Sequence, residues 1–148
     1  MKKLITIVLT FASIQMSAQK VKDVVNPSIS SWGTSFVTPV SDTKWSNANG
    51  KSYTKAKFAK FTGETQSGMT ASADVDATVK LSVDVRKGTL RVVFEDESGN
   101  STFDKTFSNP AEFTTLVELK KEVPYKVRFI GNDAKGSYVC QWIENKNL

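Results

Sequence analysis

The sequence predicts an all-β chain, a single antiparallel β-sandwich of about eight strands. Two observations carry this. From about Tyr53 to Trp142 apolar and polar residues alternate with period two, and turn-forming residues interrupt the alternation at short intervals. No stretch in that range shows the spacing of an amphipathic helix.

Val79, Leu81, Val83 and Val85 alternate with Lys80, Ser82, Asp84 and Arg86. Successive strand side chains point to opposite faces, so the apolar set shares one face. Lys87-Gly88 reads as a tight turn, and Leu90, Val92 and Phe94 as the returning arm of a hairpin. Glu95 to Asn100 is a polar turn, followed by a strand through Phe103 and Phe107 that Asn109-Pro110 ends. Phe113, Thr115, Val117 and Leu119 form the next strand. Pro124 cannot donate a ladder hydrogen bond, so it belongs at a strand start, ahead of Tyr125, Val127 and Phe129. Asn132 to Gly136 reads as a loop, and Tyr138, Cys140 and Trp142 as the last strand. Upstream, Tyr53–Thr62 and Gln66–Asp76 read as two strands separated at Gly63. The predicted core includes Val79, Leu81, Val83, Leu90, Val92, Phe94, Val117, Val127, Phe129 and Trp142.

The first eighteen residues differ. Lys2 and Lys3 precede an apolar run from Leu4 to Ile14, and the segment ends at Ser17-Ala18. This is the form of a secretory signal, and the run is shorter than the roughly 20 apolar residues of a membrane span. Residues 1–18 are therefore expected to be a signal peptide and 19–148 one sandwich domain, secreted or periplasmic. Cys140 is the only cysteine; none stands at the signal exit, so a lipoprotein is not expected. Within the domain, residues 19–50 are less regular, with Trp32 and Trp45 among Ser, Thr, Asn and Gly. Residues 30–40 fit a strand with Phe36 inward.

Composition narrows the function. The formal net charge is +5 over 148 residues, and two of those charges leave with the signal. That falls short of the concentrated charge of a nucleic-acid binder. Histidine is absent, which removes the commonest general base and a usual zinc ligand. No cofactor motif or metal-spaced set occurs, and no enzyme activity is expected.

The run Phe58-Ala-Lys-Phe-Thr-Gly63, the Val79–Glu95 stretch and Gly136-Ser-Tyr-Val-Cys-Gln-Trp142 together resemble small secreted or surface bacterial β-sandwich proteins of jelly-roll type. They are also distantly similar to pre-peptidase C-terminal domains. The resemblance implies a jelly-roll-like sandwich; it carries over no catalytic or binding residue.

Candidate ligand-binding residues are Trp32, Trp45, Tyr53, Asn47 and Asn49. Aromatic platforms beside amide and hydroxyl groups suit a sugar, which has an apolar face and a polar rim, and an apolar site with a few polar groups is the general form of a ligand pocket. The competing reading makes both tryptophans caps on the sandwich core. Lys51, Lys55, Lys57 and Lys60 read as protection of an exposed sheet edge, or as contacts to an acidic glycan or a phosphate-rich surface. Glu95, Asp96, Glu97, Asn100 and Asp104 read as a solvated turn rather than a calcium site. Cys140 is expected to be buried. The functional expectation is a non-catalytic secreted module whose partner is a carbohydrate or a surface protein. The alternatives are an envelope protein that pairs through a sheet edge and a carboxylate-based hydrolase using Asp74 and Asp76 or the Glu95 turn.

Overall fold

The computed structural model describes residues 21–42 and 44–146. The expected signal peptide lies outside the described residues. Among the described residues seven strands follow one another: β1 (Ile29–Phe36), β2 (Ser46–Asn49), β3 (Tyr53–Ala71), β4 (Val75–Asp96), β5 (Ser101–Phe107), β6 (Ala111–Leu119) and β7 (Tyr125–Glu144). All named pairings are antiparallel. Among the described residues, no helix is long and apolar enough to cross a membrane.

Three strands are far longer than the alternation predicted. β3, β4 and β7 span 19, 22 and 20 residues. β7 lies between the other two and pairs with both along most of its length. Each long strand bends midway, so the sheet folds on itself into two layers. The first layer holds β2, the early half of β3, the late half of β7, the early half of β4 and β6. The second holds β1 and the remaining halves of the long strands, closed by β5. The core lies between them, as the ring of Phe129 in the second layer against Tyr138 in the first makes plain.

The predicted hairpin at Lys87-Gly88 is therefore corrected. Residues 79–85 and 90–95 do not pair with each other; both pair with β7. Lys87-Gly88 is a bulged bend within one strand, with register shifts between Val85 and Thr89. Gly88 has φ 70, and a Cβ there would stand 2.1 Å from the Asp133 carbonyl oxygen. Only glycine lets the two bending backbones approach this closely. The predicted loop 132–136 is likewise the bend of β7, and the break at Gly63 is the bend of β3.

A parity change marks every bend. In β3 the inward set passes from Thr54, Ala56 and Phe58 to Phe61, Thr65 and Ser67. In β4 it passes from Val79, Leu81 and Val83 to Leu90, Val92 and Phe94; in β7, from Val127 and Phe129 to Tyr138, Cys140 and Trp142. Extra residues in each bulge switch which alternate side chains face the core. All ten predicted core residues are buried, each such large apolar side chain contributing about 1.5–3 kcal/mol.

Phe36 departs from expectation. It is 51% exposed at the end of β1 and meets Trp45 edge-on, with ring centroids 5.7 Å apart. Its register partner is Thr65, and its ring packs against Trp45 instead of entering the core.

Candidate functional site

The described residues form a groove of about 460 Å³ on the outer face of the first layer. Four short stretches line it: Ser46–Ala48 of β2, Lys55–Phe58 of β3, Asp84 with Arg86 of β4, and Lys135–Ser137 of β7. The inward turn of Thr54, Ala56 and Phe58 leaves Lys55 and Lys57 pointing outward. Lys57 stands opposite Ser46 on one side and Ser137 on the other; Lys55 stands opposite Ala48 and Val139.

This corrects the edge-protection reading of the lysines. β3 is flanked by strands on both sides over residues 54–57. Lys55 and Lys57 therefore lie on a sheet face, where they protect no edge.

The bends aim the other charged groups. Gly136 pairs with Val85, and a Cβ at Gly136 would fall 1.7 Å from the Asp84 carbonyl oxygen. That close approach brings the β4 and β7 bends together, and Arg86 and Lys135 from the two bends both line the groove. Asp84 is 9% exposed. Its Oδ2 accepts from Arg86 Nε at 3.1 Å, and Arg86 Nη2 lies 3.1 Å from the same oxygen. The groove thus combines a nearly buried acceptor with donors from arginine, lysine, Asn47 and serine hydroxyls.

Of the five predicted ligand residues, Asn47 alone lines this groove. Trp45 is half-buried, stacked on Phe58 at 5.7 Å and edge-on to Phe61 at 5.1 Å, and its Nε1 donates to Asn47 Oδ1 at 2.9 Å. Asn47 also borders the groove. Asn49 accepts from Thr34 Oγ1 at 3.1 Å. Tyr53 lies against Gly50, beside β7 at Gln141. Trp32 is 42% exposed on the outer face of the second layer, where its indole covers Gly68. The structure joins Trp45 to Asn47 by a hydrogen bond, and neither Trp32 nor Tyr53 lines the groove.

Four of the candidate acidic groups, Glu95, Asp104, Asp96 and Asp74, have partners. Glu95 pairs with Arg128 at 3.2 Å and Lys126 at 3.7 Å, and Asp104 with Arg91 at 2.6 Å. Asp96 Oδ1 accepts from the backbone of Ser98 and Asn100, which makes the turn. Asp74 accepts from the Lys121 amide at 2.7 Å. Among the described residues, no group of three or more carboxylates or cysteines is placed to hold a metal ion.

The sequence reasoning missed Asp84, Arg86, Lys135 and Ser137 as site residues. The available signal was Asp84-Val-Arg86, which puts opposite charges on one face of a strand just ahead of a glycine.

No known family pattern matches the chain. No curated protein matches it. Solved structures do. The CBM22-1 xylan-binding domain of Paenibacillus barcinonensis Xyn10C is 12% identical, over 78% of this chain and 88% of that one, with TM-score 0.43. A family 35 carbohydrate binding module from Clostridium thermocellum is 9% identical, over 78% and 89%, with TM-score 0.39. The chain also aligns with 11% of the length of a β-glucosidase from Kluyveromyces marxianus, at 18% identity, 64% coverage of this chain and TM-score 0.42.

Proposed function

We propose that this chain is a non-catalytic carbohydrate-binding module that works outside the cytoplasm, delivered there by residues 1–18. One observation carries the reading: the groove sets the Asp84 acceptor and several donors side by side. A sugar hydroxyl both donates and accepts, so it uses such a mixed lining on both counts. Ala48, Ala56 and Phe58 supply apolar surface within the same lining, and Trp45 holds Asn47 at its border.

Affinity electrophoresis of the full chain against a panel of plant and microbial polysaccharides tests this. The wild type is expected to be retarded by at least one polymer, and Asp84→Asn and Asn47→Ala to migrate faster in it. Migration unaffected by every polymer overturns the reading.

A second reading rests on β6. It is a nine-residue edge strand that pairs with β4, and Leu116 on it is 64% exposed. Such an edge can accept a strand from another protein. Loss of a cross-linked partner in Leu116→Lys, with polysaccharide retardation absent, would favour it.

A further inference from the structure

We infer that the groove selects an acidic saccharide, one bearing carboxylate or sulfate groups. The inference rests on the carbohydrate-binding reading of the same groove and adds the charge of its ligand.

The lining carries Lys55, Lys57, Arg86 and Lys135 against one carboxylate, Asp84. That carboxylate is already engaged by Arg86. The positive excess is therefore concentrated in one concave place. It far exceeds what the chain average supplies, since 20 basic and 15 acidic residues are shared over 148 positions. A groove lined by one sign of charge focuses its field and raises the local concentration of the opposite charge.

The cations come from two directions. Lys55 and Lys57 rise from one strand at alternate positions, about 6.6 Å apart along it. Arg86 and Lys135 come from the bends of two other strands, held together where Gly136 admits the Asp84 backbone. A charged polymer lying across the groove meets positive charge from the sheet floor and from the crease. Three separate segments supply this arrangement, so a single solvated lysine run does not explain it. A neutral sugar would gain nothing from the cations gathered in this lining. Asp84 and the Ser137 hydroxyl keep a polar pair suited to sugar hydroxyls within the same lining, which separates this ligand from a bare phosphate or a nucleic acid.

The test is binding of the full chain, at low and moderate salt, to polygalacturonate, dextran sulfate, neutral galactan and a single-stranded oligonucleotide. The paired variant Lys57→Gln/Lys135→Gln is run alongside, with its thermal melt confirming that it folds. At least one acidic polymer is expected to bind about 10-fold tighter than the neutral one. The variant should lose that margin, and added salt should weaken the acidic binding because exposed charges are screened within about 10 Å at 0.1 M. Equal binding of acidic and neutral polymers, unchanged in the variant, overturns the inference and leaves the carbohydrate-binding reading standing. Binding of the oligonucleotide as tightly as the best acidic polymer overturns the choice of a saccharide. Binding of none of the polymers overturns both readings.

Discussion

Tyr138 lies flat on Phe129, with ring centroids 3.7 Å apart and planes within 3°. The two residues belong to one strand, nine positions apart, yet they sit in opposite layers of the sandwich. The Tyr138 hydroxyl also meets Thr65 Oγ1 at 3.0 Å, and both residues are buried. Ring and hydroxyl together tie the two halves of the folded sheet.

Tyr138→Phe keeps the ring and strands the Thr65 hydroxyl without that partner. An unsatisfied buried group costs about 1–2 kcal/mol, and denaturant titration should show that loss. Adding Thr65→Val removes both polar groups and should recover most of it. A single variant as stable as wild type would show that the hydroxyl pair contributes nothing.

Arg128 links three strands. Its guanidinium donates to Glu64 at 2.7 and 3.1 Å and to Glu95 at 3.2 Å. The hydrogen bonds from Arg128 hold the Glu64 carboxyl below its ordinary value of 4.5. A carboxylate depressed in the folded state adds stability above its unfolded value, and that stability is lost as pH falls through the folded value. The wild type should therefore lose stability on acidification below about pH 4.5 more steeply than Arg128→Met. At pH 7 the variant should be about 2 kcal/mol less stable. Parallel acid profiles for the two proteins would contradict this.

Gly136 and Gly68 predict opposite outcomes from the same substitution. At Gly136 (φ 142) an alanine Cβ would overlap backbone, the Asp84 carbonyl oxygen at 1.7 Å. Neither strand can move aside, so Gly136→Ala should cost about 3 kcal/mol. At Gly68 the overlap is with the Trp32 ring, 1.9 Å from Cζ2. That ring is on the surface and can swing away. Gly68→Ala should therefore leave the melting temperature nearly unchanged and shift tryptophan emission to the red. A large stability loss at Gly68 would show that Trp32 is held in place.

Cys140 is fully buried, and burial pushes its thiol up to about 12. The thiolate is the reactive form. Iodoacetamide at pH 8 should leave the native protein unmodified and label it promptly in guanidinium chloride. Prompt labelling of the native protein would contradict the packing between the layers.

Of the five candidate ligand residues, Asn47 borders the groove and Trp45 is bonded to it; Trp32, Tyr53 and Asn49 are not in its lining. Trp32 and Trp45 look alike in sequence, each an aromatic among small polar residues. Trp45 stacks on Phe58 and meets Phe61 edge-on, whereas Trp32 has a glycine beneath it. Those partners are distant in sequence, so local composition could not separate the two.

Period-two alternation by itself determined the all-β class, the inward faces and the burial of Cys140, because side-chain direction in a strand depends only on position. Only the tertiary structure decided that Lys87-Gly88, Gly63 and residues 132–136 are bends within continuous strands. A hairpin turn and a bulged bend make the same local demands: a glycine able to take positive φ and a break in the alternation. What separates them is whether β7 runs past both halves of β4 and pairs with each. The pairing of β3 with both β2 and β7 likewise moved Lys55 and Lys57 from a supposed edge to a sheet face, and together these pairings gathered four stretches between residues 46 and 137 into one groove.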